Sequence, residues 1–108
     1  MFLTVDIDAD NNASFTVNAA STTMNVTADA AGANVTDLTV VNTATGAGTI
    51  GTDADGTVTV TTSGDTTVTA NDAANVTVTS AARATVNASD VLANAVTVTA
   101  GEESDCNS

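Results

Sequence analysis

The sequence contains no histidine, lysine, tryptophan or tyrosine, and it has a single arginine, Arg83. Without histidine there is no Ser-His-Asp triad, no imidazole base and no histidine metal ligand. The single cysteine, Cys106, has no histidine to activate it, and Gly46-Ala47-Gly48 lacks the lysine of a phosphate-binding loop. We therefore predict that the protein is not an enzyme, and no residue is assigned as catalytic.

Positive charge is almost missing as well, because 13 acidic residues face one basic residue and the formal net charge is −12. Nucleic-acid binding needs several lysines or arginines to neutralise phosphates. Binding to an anionic membrane surface needs the same residues. We therefore predict no nucleic-acid partner and no membrane partner. Self-repulsion at this charge destabilises a compact chain at low salt, whereas molar salt shortens screening to about 3 Å.

Long apolar runs are also lacking. No stretch approaches the length of a transmembrane helix. The start, MFLTVDIDADNN, has neither a positive segment nor a long apolar segment, so we expect no secretory signal and export, if any, inside a particle. Cys106 has no second cysteine to pair with inside the chain, so we expect a free thiol or a link to another copy.

Large apolar side chains are few. The chain has 15 valines and 21 alanines, but isoleucine, leucine, phenylalanine and methionine together contribute nine residues. Small side chains bury little area, and burial contributes roughly 25 cal/mol per Å². We expect modest stability for an isolated monomer and additional burial against copies or partners.

The residues that are abundant, threonine and valine, alternate with period two, which is typical of β-strands. The alternation predicts short strands around residues 2–8, 14–18, 24–26, 35–40, 57–61, 67–69, 76–79, 84–87 and 96–99. Asn-, Asp- and Gly-rich breaks separate these segments, and Asp55-Gly56 is the best candidate for a hairpin turn. The single plausible helical piece is 88–95.

The predicted fold class is all-β, with one domain over 1–100 and an acidic polar tail over 101–108. Residues 57–100 are repetitive, with Val60, Val68, Val78, Val86 and Val96 spaced 8, 10, 8 and 10 residues apart. Very short strands and small core residues favour a short β-solenoid there. An antiparallel β-sandwich fits the same spacing. Residues 1–56 are less regular and are compatible with a conventional sheet.

Two acidic segments are candidates for a cation site. Alternate carboxylates suit Ca²⁺, and the first segment resembles the opening of a calcium loop, although the positions that require Gly and Glu hold Asn11 and Val17. The alternative is a solvated, Asp-rich turn. No cofactor is predicted beyond this possible Ca²⁺, whose candidate ligands are Asp6, Asp8, Asp10, Asp53 and Asp55.

Thr-x-Thr recurs at Thr57/Thr59/Thr61, Thr67/Thr69, Thr77/Thr79 and Thr97/Thr99. Stacked in register, these hydroxyls resemble the ice-binding face of antifreeze β-solenoids. The alternative is that threonine simply occupies the outer face of strands, where it has high β-propensity. Asn-x-Ser/Thr occurs at Asn12, Asn25, Asn34, Asn75 and Asn87, which is near the number that composition alone gives and permits glycosylation.

The lysine-free, Asp-rich and Thr/Ala/Val-rich composition resembles proteins of haloarchaea and their viruses, and residues 57–100 resemble the β-helices of adhesins and viral fibres. The alternative source is an acidic surface protein of a marine phage or bacterium. These resemblances imply a virion structural protein: a capsid decoration, turret or tail-associated component of a tailed virus with a halophilic host. Its expected partners are copies of itself, as a trimer or pentamer, and the major capsid or other virion proteins. The alternatives are a cell-surface adhesin or fibre module and an ice-binding protein.

Overall fold

The structure is a computed structural model that describes residues 2–9, 14–30, 35–44, 46–89, 95–102 and 104–107. These segments form eleven β-strands. In chain order they are β1 (Phe2–Ala9), β2 (Phe15–Ala19), β3 (Thr23–Ala30), β4 (Leu38–Asn42), β5 (Ala47–Thr52), β6 (Thr57–Thr62), β7 (Thr66–Thr69), β8 (Asn75–Ser80), β9 (Ala84–Asn87), β10 (Val96–Ala100) and β11 (Ser104–Asn107). The all-β prediction is confirmed.

The strands form two sheets in which every pairing is parallel. One sheet has the order β1-β3-β5-β7-β9-β11 and the other has the order β10-β8-β6-β4-β2. We call them the odd sheet and the even sheet. Because consecutive strands lie in different sheets, the chain winds as a short β-solenoid with two strands per turn. An antiparallel sandwich is thereby excluded, and the solenoid includes the first half of the chain, where the sequence was compatible with a conventional sheet.

The length of one turn is most regular in the middle of the chain. Gly48 pairs with Thr66, Thr66 with Ala84, and Thr57 with Asn75, so each of these turns takes 18 residues. The 8-and-10 spacing of the valines is this turn divided between two strands. Turns near the ends are longer, since Phe2 pairs with Thr23 and Thr23 with Ala47.

The core lies between the two sheets and consists of stacked small apolar side chains. Inward-facing valines repeat in register, as in the row of Val58, Val76 and Val96. The Cα trace is only 14 Å thick in its thinnest direction, which is consistent with two sheets about 10 Å apart. Threonine takes the outward position on many of the same strands, so the Val/Thr alternation separates interior from surface.

Polar side chains occupy the interior at one corner of the solenoid, where the chain leaves the even sheet. The Asn42 side chain accepts a hydrogen bond from Ser21 N (3.0 Å) and donates to Ser21 O (3.1 Å). In the next turns, the Thr66 and Ser80 hydroxyls donate to Gly64 O at 2.9 and 2.7 Å. Every buried side-chain polar atom of the described residues has a partner, as a buried chain reversal requires.

At other corners, Asp and Asn side chains cap backbone amides of the adjacent turn. Asp37 Oδ1 accepts from Thr57 N (2.7 Å), Asp65 Oδ1 from Arg83 N (3.2 Å), and Asn71 Oδ1 from Ser89 N (3.0 Å). These breaks are therefore corners between sheets. The expectation of a hairpin at Asp55-Gly56 is wrong, because β5 and β6 belong to different sheets.

Two further expectations concern the C-terminal part. Ser104–Asn107, which composition placed in a polar tail, forms β11 and pairs in parallel with β9. The proposed helical piece at 88–95 falls mostly outside the described residues, since 90–94 are not described. The connection also shifts the valine register, because Val96 pairs with Val76 rather than with Val78.

Candidate binding surfaces

The outer face of the even sheet carries two continuous rows of aligned side chains. The pairings of β2, β4, β6, β8 and β10 place five threonines in one row and an asparagine, a valine and three threonines in the next. The first row is Thr16, Thr39, Thr59, Thr77 and Thr97, and the second is Asn18, Val41, Thr61, Thr79 and Thr99. We call these ten residues the Thr face.

The Thr face is uncharged. None of its ten side chains is acidic, although the chain carries 13 acidic residues. Among the described residues, the printed geometry gives none of the ten side chains a hydrogen bond to another protein group, so their hydroxyl and amide groups are available to water or a ligand. The sequence motif Thr67/Thr69 does not belong to this face, because it lies on β7 in the odd sheet.

The outer face of the odd sheet differs, because it carries carboxylates near one end. Asp6 and Asp8 are exposed on β1, and Asp8 pairs directly with Asp29 on β3. Asp53 follows β5 at the same level, and its backbone N donates to Ala28 O at 3.4 Å. We call Asp6, Asp8, Asp29 and Asp53 the acidic cluster.

Partial burial raises the pKa of the Asp29 carboxyl, and the negative charges of Asp53, Asp8 and Asp6 raise it further. Like charges at short range disfavour ionisation. Sequence reasoning missed Asp29 because it stands alone in the sequence. It joins Asp8 only because the first turn takes 21 residues, as the pairing of Phe2 with Thr23 fixes.

The five predicted cation ligands do not form one site in the described residues. Asp6, Asp8 and Asp53 come together with Asp29, whereas Asp55 is exposed in the next corner and Asp10 lies outside the described residues. Asp53 Oδ1 instead accepts a hydrogen bond from Val35 N at 3.1 Å. Within the described segments, no three carboxylate or thiol groups are arranged to hold a metal ion.

The two ends of the solenoid form a third surface. Apolar residues of β3 to β9 that point inward are buried, but those of β1, β2 and β10 are only partly buried. We call β1, β2 and β10 the end strands and β3 to β9 the inner strands. The partly buried residues at the ends are Leu3, Val5, Ile7, Phe15, Val17, Ala19, Ala95, Val96, Val98 and Ala100.

Potential glycosylation positions fall on both faces. Asn25 and Asn75 are exposed on β3 and β8, and Asn87 is half-buried on β9. The Asn87 side chain donates to Thr69 Oγ1 at 3.5 Å. Asn12 and Asn34 lie outside the described residues.

The described residues enclose no pocket, and among them no helix is long and apolar enough to cross a membrane. Comparison with known proteins found no matching family model, no matching curated protein and no matching solved structure. The surfaces of this chain therefore supply the functional argument: the Thr face, the acidic cluster and the apolar ends.

Proposed function

We propose that this protein is a structural component that works by assembly, and that its setting is the virion of a tailed virus with a halophilic host. The observation that carries the proposal is the partial burial of inward-facing apolar residues in all three end strands. Such residues gain burial when another protein covers the end of the solenoid. A capsid decoration, turret or tail-associated protein gains that burial from copies of itself and from the capsid or tail to which it binds.

The edges of the sheets support the same proposal. At each end of a parallel sheet, backbone N–H and C=O groups lack a neighbouring strand, which makes the edge a template for pairing. Two kinds of contact, backbone pairing and apolar packing, therefore coincide at the ends. This surface differs from a ligand pocket in that its natural partner is another protein with a strand edge.

Charge makes this assembly depend on salt. With a net charge of −12, copies of the chain repel one another at low ionic strength. At molar salt the screening length falls to about 3 Å, and contact between acidic protomers becomes possible. The proposal therefore expects oligomers, such as trimers or pentamers, at molar salt and smaller species at low salt.

The first experiment is sedimentation velocity of the purified protein across this salt range. The expected result is a shift from small species to a defined oligomer as salt rises. A matched pair of variants locates the contact: Val17→Asp at the N-terminal end and Asn18→Asp, its neighbour on the outer face. Assembly should be lost in the first and kept in the second, with circular dichroism confirming that both remain folded. A monomer at every salt concentration, without affinity for capsids, contradicts the proposal.

The setting is tested separately by quantitative mass spectrometry of purified virions and of cell envelopes from the source organism. High, stoichiometric copy number in virions supports the virion assignment. The second candidate is a segment of a cell-surface adhesin or fibre, which the elongated, pocket-free solenoid geometry favours. Enrichment in envelopes, with none in virions, selects this second candidate instead.

A further inference from the structure

We propose that the Thr face is an ice-binding surface, an activity separate from assembly through the ends. The first argument is the distribution of charge. Asp6, Asp8 and Asp29 point outward from strands of the odd sheet, whereas no residue of the five even-sheet strands is charged. In a chain with a net charge of −12, this face resembles a surface on which charge is unfavourable. A strongly hydrated carboxylate holds its own water shell and interferes with a lattice of ordered water.

The second argument is the periodic geometry of the face. Adjacent parallel strands lie about 4.8 Å apart, and residues i and i+2 on one strand lie roughly 6.6 Å apart. The one-to-one pairing of β4, β6, β8 and β10 repeats both spacings without interruption by a bulge. The outcome is a two-dimensional array of hydroxyl and methyl groups, and ice crystal planes present water oxygens with repeats of similar size.

The third argument is the chemistry of threonine. Its β-branched side chain populates few χ1 rotamers, so each hydroxyl is held with little entropy left to lose on binding. Each threonine presents a hydroxyl that bonds water and a methyl that water surrounds. Because the hydroxyls of the Thr face have no partner within the described protein, they can bond to the lattice without breaking an internal contact.

The shape of the surface favours ice over a soluble small molecule. Small ligands bind in concave, largely apolar sites, and the described residues enclose no pocket. A planar array gains affinity only from a planar, periodic partner that meets many positions at once. The odd sheet lacks such an array, because Asn25, Gly51 and Asn87 interrupt its outward rows and Asp6 lies at one end.

The test is thermal hysteresis, the gap between melting and freezing of a seeded ice crystal, measured with the purified protein. Two variants form a matched pair: Thr79→Lys on the Thr face and Thr49→Lys on the odd sheet. Both positions are exposed threonines on strands with neighbours on either side. The expected results are measurable hysteresis in the natural protein, loss of most of it in Thr79→Lys, and retention in Thr49→Lys.

Circular dichroism of each variant confirms its fold. If Thr79→Lys does not fold, Thr99→Lys on the end strand β10 replaces it, since an exposed edge position tolerates a larger side chain. Absence of hysteresis in the natural protein overturns the proposal. Equal loss in the folded Thr79→Lys and Thr49→Lys variants also overturns it, because the activity would then not belong to one face.

Discussion

The inner and end strands have the same composition but different environments. Val78 on β8 is fully buried, whereas Val98, its direct partner on β10, is only partly buried. Both are valines at inward positions of the same sheet, so side-chain chemistry does not explain the difference. It arises because a solenoid turn is buried by the turns on either side of it. An inward valine is therefore a core residue only where a neighbour covers it.

The largest predicted effect comes from placing a charge at each of these two positions. Val78→Asp should prevent folding, because an unpaired carboxylate would be buried in the middle of the core. Val98→Asp should leave a folded protein, because its carboxylate can reach water at the end of the solenoid. Circular dichroism and urea denaturation measure both. Equal destabilisation would show that β10 is as well covered as β8.

The next effect concerns the attachment of the first turn to the inner strands. Asn42→Ala removes the partners of both Ser21 N and Ser21 O, which are buried. Leaving buried backbone groups unsatisfied should cost about 2–3 kcal/mol of unfolding free energy. Asn18→Ala, an exposed position on β2, is the control and should change stability by less than about 0.5 kcal/mol. Urea denaturation distinguishes the two, and similar values would contradict the role of Asn42.

Two glycines test why the inner turns are so regular. A Cβ at Gly56 would clash with the Thr36 carbonyl oxygen and the Asp37 carboxylate, whereas a Cβ at Gly51 meets nothing within 4 Å. Gly56→Ala should therefore destabilise by about 1–3 kcal/mol through overpacking at the corner. Gly51→Ala should stabilise by about 0.4–1 kcal/mol, because it restricts the unfolded chain. Thermal melts of both variants check the opposite signs.

The smallest effect lies in the acidic cluster near the N-terminal end. The pKa of Asp29 is raised above its ordinary value of 3.8, so the folded state holds this proton more tightly than the unfolded chain does. Stability should therefore fall as pH rises through the folded pKa, and the ionised carboxylate should be unfavourable at neutral pH. Because the group is exposed, solvent screening limits the effect to less than about 0.5 kcal/mol.

Asp29→Asn should remove this small penalty. The variant should be slightly more stable than the natural protein at pH 7 in low salt, and equally stable near pH 3 or in molar salt. Asp72→Asn, in an exposed corner away from the cluster, provides the comparison. Denaturation curves at the two pH values test the sign, and a gain confined to low pH would contradict it.

The sequence was sufficient to predict the strands and their faces, because Val/Thr alternation separates interior from surface. It also predicted the 18-residue turn indirectly, since Val60 and Val78, like Val68 and Val86, are one turn apart. Sandwich and solenoid remained open because both give short strands at this spacing. The decisive fact, parallel pairing between every second strand, is a long-range property that local alternation does not encode.

The two candidate surfaces were predictable to different degrees. Thr59/Thr61 and Thr77/Thr79 belong to the most regular turns, so their alignment follows from the repeat. Thr16 and Thr39 were missed, because the turn that joins them takes 23 residues, as the pairing of Phe15 with Leu38 shows. The acidic cluster was only partly found for the same reason, since irregular turn lengths bring Asp8 and Asp29 together.

The 18-residue turn between Thr57 and Asn75 makes the molecule extensible by genetic duplication. A copy of that segment inserted in frame adds one strand to each sheet and leaves every neighbouring side chain on its original face. An insertion one residue shorter or longer sends the following valines outward and the threonines inward. Selection can thus lengthen or shorten the protein in whole units, so its size is a quantity that evolves in steps while its cross-section stays constant.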